Sequence, residues 1–323
     1  VTPAGDDVAV VIVNYNGAAL LPACLAALAA QTKAPAQIVV ADNGSSDGSL
    51  ALLRAHHPSV DVRVLGHNFG FAGGANRGVR ATTARWVCIL NSDATPVPDW
   101  LATLTAAPRD ERTWALGSVL VSAQTGRIES AGDQYSPAGF AYKLLRDRPL
   151  SDLPAEPYPV FAAPGAAPVF RRDVFDELGG YVERFFLYYE DVDLAFRAVL
   201  LGYHALLVPQ ARVVHQLGAT TKSLARARFY VARNSVWCAV RCMPELRFRR
   251  LARRWASELR TNRPRRLIPV ELAGRLAALV QLRRTWRERT SIFSARTGSF
   301  EHVEALLREP GAIGAHKPRQ TPI

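Results

Sequence analysis

Several polar clusters in this chain have the residue types and spacing that chemistry uses. Asn14 and Asn16 follow the apolar run Val8–Val13, and Asp42-Asn43-Gly44-Ser45-Ser46-Asp47-Gly48 follows Gln37–Ala41. A carboxylate among small residues can meet a nucleobase or ribose edge, although the same run can also be a capped strand-to-helix turn. Asn68 through Asn76 carries Gly70, Gly73 and Gly74. Glycines at a helix start can present N–H groups to phosphate oxygens, or simply permit a turn. Asn91-Ser92-Asp93 offers one carboxylate, which can hold a hard divalent cation if other ligands help. Glu190-Asp191-Val192-Asp193 opens a helix, where acidic residues serve the dipole or, in the case of Asp191, act as a general base. His215 ends Val213-Val214-His215. Its imidazole can be structural, or it can stand beside Asp93 on a metal or touch a diphosphate. Thr220, Thr221 and Lys222 come next and could add phosphate contacts.

The elements that must position these groups alternate. Val8–Val13, Gln37–Ala41, Val60–Leu65 and Arg85–Leu90 read as strands. Ala18–Gln31, Ser49–His56 and Gly74–Thr83 read as helices between them. That order predicts an α/β fold with a parallel, doubly wound sheet, in which ligands bind beyond the carboxyl ends of the strands. The polar clusters fall at those four ends. Thr113–Ser122 and Ala166–Phe170 read as further strands, and Arg172–Leu178 and Asp191–Leu201 as helices. Gln124–Pro159 is turn-rich and is expected to form a loop or hairpin over the site. From Leu224 onward the pattern is helical. The division expected is a sheet domain over 1–222, basic helices over 223–308, and a disordered tail over 309–323.

Charge is concentrated. Between Arg241 and Arg296 lie 16 arginines and four glutamates, so this stretch accounts for the net charge of +12 of all 323 residues. Trp237, Trp255, Leu259, Leu267, Ile268, Leu276, Leu279, Leu282 and Trp286 are interleaved with the arginines. Such helices can pack as a solvated face or lie on an anionic lipid surface. A basic stretch also admits nucleic acid, but no nucleic-acid motif accompanies it. The four cysteines, Cys24, Cys88, Cys238 and Cys242, lack zinc spacing and are expected to be reduced and buried. Apolar runs stop short of the ~20 residues a membrane span needs, and no leader pattern opens the chain.

Taken in order, these motifs resemble the family 2 glycosyltransferases of the GT-A fold, especially the bacterial rhamnosyltransferase-like branch. Val11-Ile12-Val13-Asn14-Tyr15-Asn16 is similar to the family's opening. Asp42–Gly48, Asn68–Asn76, Gly165-Ala166-Ala167, Gly179-Gly180-Tyr181, Tyr188–Leu194 with Arg197, His215 and Tyr230–Asn234 come in the family's order, and Asn91-Ser92-Asp93 fills its D-x-D position. The resemblance covers about Val8 to Trp237. It implies a nucleotide-sugar site over Asn14, Asn16, Asp42, Asn43, Asn68, Gly70, Gly73, Asn76, Asn91 and Ser92. It implies Mg²⁺ or Mn²⁺ on Asp93 and His215, Asp191 as the base, and acceptor or diphosphate contacts from Gly165, Glu190, Lys222, Arg233 and Asn234. Pro168 and Val182 depart from the family's usual apolar and acidic residues. The activity implied is inverting hexosyl transfer, with L-rhamnose from dTDP-rhamnose as first choice, to a polyprenyl-linked or glycan acceptor in cell-envelope glycan synthesis. The expected setting is cytoplasmic, peripheral at the inner face of the plasma membrane, with homo-oligomers left open. An oxidoreductase on a similar sheet would need a glycine fingerprint after Val13, where Asn14-Tyr15-Asn16-Gly17 stands. A basic lipid- or nucleic-acid-binding module with a degenerate sheet is the non-enzymatic alternative.

Overall fold

The computed structural model describes residues 7–216, 218, 223–246, 249, 251–254 and 265–308. Lys222, Thr220, Thr221, Trp255, Leu259 and the tail 309–323 lie outside the described residues. The strands are β1 (Val8–Asn14), β2 (Gln37–Asp42), β3 (Asp61–Val64), β4 (Trp86–Asn91), β5 (Ala94–Pro96), β6 (Thr113–Ser122), β7 (Ile128–Ser130), β8 (Asp133–Ser136), β9 (Phe140–Lys143), β10 (Tyr158–Val160), β11 (Val169–Arg171) and β12 (His204–His215). The helices are α1 (Leu21–Ala29), α2 (Ser49–His56), α3 (Gly70–Arg80), α4 (Trp100–Ala106), α5 (Arg172–Glu177), α6 (Glu190–Leu200), α7 (Leu224–Cys242), α8 (Ile268–Val280), α9 (Leu282–Ala295) and α10 (Phe300–Leu306).

The main sheet runs β10–β12–β6–β11–β4–β1–β2–β3, with β5 beside β12 and β7 beside β6. β1 pairs in parallel with both β2 and β4, as its unbroken apolar run requires of a strand buried on both faces. Alternate side chains enter two cores. Val10, Ile12 and Val40 meet α1 and α4 on one face, while Val11, Val39 and Ile89 meet α3, α6 and α7 on the other. The fold is the GT-A arrangement, a mostly parallel sheet with flanking helices and a C-terminal helical region.

Four details differ from the sequence reading. Ala18–Gln31 yields a shorter helix, because the chain turns at Gly17 and Pro22 enters at the first turn. Ala166–Phe170 contracts to β11, which is antiparallel to both β4 and β6. Gln124–Pro159 holds, besides a hairpin (β8–β9), the strand β7 and the start of β10. The helix expected from Gly74 begins at Gly70, so the glycines lie inside α3. Steric contact explains them: a Cβ at Gly74 would stand 2.7 Å from Val13 Cγ1, and one at Gly70 would strike the Phe186 carbonyl. Here glycine permits close packing of α3 on β1 and on the loop before α6.

The C-terminal helices are not a detached appendage. Val236, Trp237, Cys238 and Cys242 of α7 belong to the same apolar cluster as the sheet. All four cysteines are free and buried. Among the described residues no helix is long and apolar enough to cross a membrane.

Candidate active site

The site grows from strand ends. β1 and β2 finish side by side, with Asn14 opposite Asp42. Asn14 Nδ2 donates to Asp42 Oδ2 at 2.8 Å and to Ser45 Oγ at 3.0 Å. Asn16, at φ 54°, accepts from the Ser46 N–H at 2.7 Å. Asn43 receives the Phe69 N–H at 2.9 Å and donates to Asn68 Oδ1 and the Gly70 carbonyl. Asn68 in turn caps the Gly70 N–H at 2.8 Å. These asparagines fix the loops around Asp42 to one another. Gly73 sits over Phe69 and beside Arg77. Asn76 spends its amide on both backbone groups of Tyr181, at 2.8 and 2.9 Å.

The end of β4 leads straight into the Asn91-Ser92-Asp93 triplet. Gly17 is flanked by Asn14 Oδ1 and Ser92 Oγ, which links the β1 end to the β4 end. β5 then pairs antiparallel with β12, and the register sets Ala94 opposite His215. That register is why residues more than 100 positions apart meet: His215 Nε2 lies 3.2 Å from Asp93 Oδ1. Asn91 Nδ2 stands 3.5 Å from the same ring nitrogen.

The other ring nitrogen has a partner that the sequence reading missed. β7 lies on β6, next to β12, and the irregularity between Leu120 and Val121 leaves Glu129 beside the imidazole. His215 Nδ1 donates to Glu129 Oε2 at 2.8 Å, while Lys143 of β9 donates to Glu129 Oε1 at 2.5 Å. Burial opposes charge on Glu129, but the His215 hydrogen bond and Lys143 outweigh it and lower its pKa to about 2. Burial likewise opposes an imidazolium, but the hydrogen bonds to Asp93 and Glu129 raise His215 to about 9. The only prior signal for Glu129 was a carboxylate next to Ile128 in a turn-rich stretch.

Asp191 sits across a short loop from this pair. A Cβ at Gly165 would collide with Asp191 Oδ2, and the next residue, Ala166, accepts the Asn91 N–H at 2.9 Å. One loop therefore touches both the triplet and Asp191. Burial pushes the Asp191 carboxyl above the ordinary carboxylate range, and burial together with the Asp191 charge does the same to Glu190. Glu190 Oε2 finds no hydrogen-bond partner among the described residues. Asp133 of β8, also buried, is raised to about 7 by desolvation, and the Asp191 charge adds to that rise.

The backbone before α6 is strained. Phe186, Tyr188 and Tyr189 all adopt φ between 68° and 70°, which costs of order 1 kcal/mol or more for each bulky residue. Asn234 over-determines the loop: it is fully buried, and its Nδ2 donates to the carbonyls of Phe185, Leu187 and Tyr188 at 2.7–3.0 Å. Arg233 donates to the carbonyls of Arg184 and Phe185. Both α7 residues thus hold the loop that delivers Asp191. Behind α6, Asp193 bonds Arg197 at 2.8 Å and Arg241 at 2.6 Å. Arg197 carries the bond on to the carbonyls of Leu178 and Gly180.

Residues 9–179 match the family model described as "Glycosyl transferase family 2". The chain belongs to that family. This glycosyltransferase is 31% identical over 245 residues to an N-acetylglucosaminyl-diphospho-decaprenol L-rhamnosyltransferase of Mycobacterium tuberculosis, a match covering 67% of this chain and 78% of the relative. It is 27% identical over 222 residues to the O-antigen biosynthesis protein RfbC of Myxococcus xanthus, covering 63% of this chain and 17% of that protein. Among solved structures it resembles GalNAc-T7 with UDP, GalNAc and Mn²⁺ (TM-score 0.63, 19% identity, 90% of this chain and 56% of that one). It also resembles TarS 1-349 of S. aureus with UDP (TM-score 0.53, 15% identity, 90% of each chain). At these identities the structural likeness establishes the fold. The family match contains Asp42 and Asp93 but ends before Asp191 and His215.

Whether a divalent cation fits can be judged from the donors. Among the described residues no three His, Cys, Asp or Glu side chains form a ligand set. Asp93 and His215 are a convergent oxygen–nitrogen pair once a cation displaces the Nε2 proton, and the Glu129 carboxylate orients the ring from behind, as outer-shell carboxylates do for metal-bound histidines. Two protein donors suit an ion whose remaining positions go to diphosphate and water.

Proposed function

We propose that this family 2 glycosyltransferase is metal-dependent and inverting, and that it moves L-rhamnose from dTDP-rhamnose to a polyprenyl-diphosphate-linked sugar. The observation that carries the mechanism is the Gly165–Ala166 loop, which packs against Asp191 on one side and on the other is hydrogen-bonded to Asn91, two residues before the Asp93 that meets His215. Similarity to the mycobacterial rhamnosyltransferase supports the choice of sugar and the lipid-linked acceptor.

Asp42 and its asparagine frame would receive the nucleoside. Asp93 and His215 would hold Mn²⁺ or Mg²⁺, with the imidazole favouring Mn²⁺. The ion, when bound, offsets the charge on the leaving diphosphate. Asp191 takes the proton of the acceptor hydroxyl as that oxygen attacks the anomeric carbon. A single displacement needs one base and no protein nucleophile. Burial keeps Asp191 basic, which suits it to accept a proton near neutral pH. A lipid-linked acceptor would bring the enzyme to the cytoplasmic face of a membrane.

The test is a thermal-shift panel of nucleotide sugars with and without Mn²⁺, followed by product stereochemistry with the stabilising donor. A shift from dTDP-rhamnose that needs Mn²⁺ supports the reading. Stabilisation by a different donor would replace the sugar, and retention at the anomeric carbon would reject Asp191 as the base of a single displacement.

A further inference from the structure

Helix α8 is built inside out. Glu271, Gly274 and Ala278 form its inner face, with no large apolar side chain among them, while Leu272, Leu276, Leu279 and Val280 point outward. The reason lies in α7: a Cβ at Gly274 would stand 2.5 Å from the Phe229 carbonyl, and Trp237 Nε1 donates to the Ala278 carbonyl at 3.1 Å. At Gly274 the backbones are too close for a side chain, the inner position a turn earlier holds the charged Glu271, and the helix's apolar bulk faces away from the protein. Leu276, Leu279 and Val280 are 64%, 54% and 86% exposed. A surface helix of a water-soluble body has the reverse arrangement.

The ridge continues around a corner. Gln281 ends α8 and caps α9, and Leu282 and Trp286 extend the exposed apolar surface. Arg283, Arg284 and Arg287 stand exposed around it. A contiguous apolar patch marks an interaction site, and the arginines select its partner. A second copy of this chain would set like charges against one another across a two-fold contact. An anionic lipid surface accepts both parts, the leucines and tryptophan at the acyl boundary and the guanidinium groups on the phosphates.

We propose that the α8–α9 corner is a docking surface for anionic membrane. The surface is joined to the site: Arg184 donates to Gln281, Thr285 and Glu288, and its own carbonyl is held by Arg233. The docked corner therefore lies beside the loop that leads to Asp191. Neither the donor nor the reaction enters this argument, so a wrong sugar assignment leaves it standing.

The experiment is sedimentation of the full chain with phosphatidylcholine vesicles, with and without about one-third phosphatidylglycerol, at low and high salt. Binding is expected only with phosphatidylglycerol, falling as salt rises. The double substitution Leu276→Glu, Leu279→Glu should weaken it tenfold or more. Arg283→Ala and Arg287→Ala should each weaken it about fivefold at low salt. All four positions are exposed, and unchanged melting and nucleotide binding would verify that the variants fold. Binding by the double variant equal to that of the parent would overturn the proposal, as would binding indifferent to phosphatidylglycerol. A parent that ignores vesicles but self-associates, with the double variant monomeric, would assign the ridge to a second copy instead.

Discussion

Replacing Asp193 with Asn should destabilise the protein while leaving the strand-end residues in place. Asp193 is fully buried and carries two guanidinium partners, Arg197 and Arg241. Burial opposes its charge, but Arg241 and Arg197 outweigh it and draw its pKa from 3.8 to about 2. A depression of this size contributes on the order of 2 kcal/mol, fully present above the unfolded-state pKa and lost as pH falls from about 5 towards 2. The substitution also leaves Arg197 without a carboxylate in the interior and Arg241 with Glu288 alone, which raises the total to about 3–5 kcal/mol. With an unfolding entropy of about 2.1 cal/mol/K per residue over 323 residues, that corresponds to a Tm lower by about 4–8 °C at pH 7. Calorimetry at pH 7 and urea titrations between pH 7 and pH 3 would measure it. The gap between parent and variant should narrow by about 1 kcal/mol at pH 3. A Tm within about 1 °C of the parent, or a gap that widens on acidification, would refute the claim that the pair is net stabilising.

Other outcomes concern the site. Asp191→Asn should keep donor binding and lose about 10²-fold or more in kcat; stopped-time product assays with a donor-binding isotherm separate the two. Because burial raises the Asp191 pKa and catalysis needs the ionised form, kcat should fall with acidification at a pH above the usual carboxylate range, and a limb at or below about pH 4 would contradict the assignment. Glu129→Gln keeps the shape but removes the carboxylate behind His215, so Mn²⁺ affinity, read by electron paramagnetic resonance without donor, should weaken about 10–100-fold; unchanged affinity would leave Glu129 a purely structural partner of Lys143. Asn234→Ala should reduce kcat with little change in donor binding, because the strained Phe186–Tyr189 segment loses three hydrogen bonds, and a normal kcat would deny the loop its role.

The strand ends were readable because their chemistry and their geometry coincide. Val11, Ile12 and Val13 announce a strand buried on both faces, and the residues just after such a strand must lie at the sheet's carboxyl edge. The same logic placed Asp42 and Asn91-Ser92-Asp93. It left Gly70 to Gly74 open, since glycine spacing looks alike whether it admits a phosphate or a neighbouring strand, and the close approach of Val13 and Phe186 is visible only in the fold. Glu129 stayed hidden for a different reason: its position depends on a strand irregularity against β6, a long-range pairing that no local pattern encodes. Asn234 was picked out for contact with acceptor or diphosphate; the structure shows its amide turned inward, on three carbonyls some 46 to 49 positions earlier in the chain.

That inward amide bears on how such enzymes could be recombined. A chain cut at residue 222 would keep every strand together with Asp93 and His215, yet forfeit the hand that bends the 186–189 segment. Exchange of C-terminal halves between relatives should therefore succeed only when the segment and residue 234 travel together, and hybrids that split them should retain nucleotide while remaining idle.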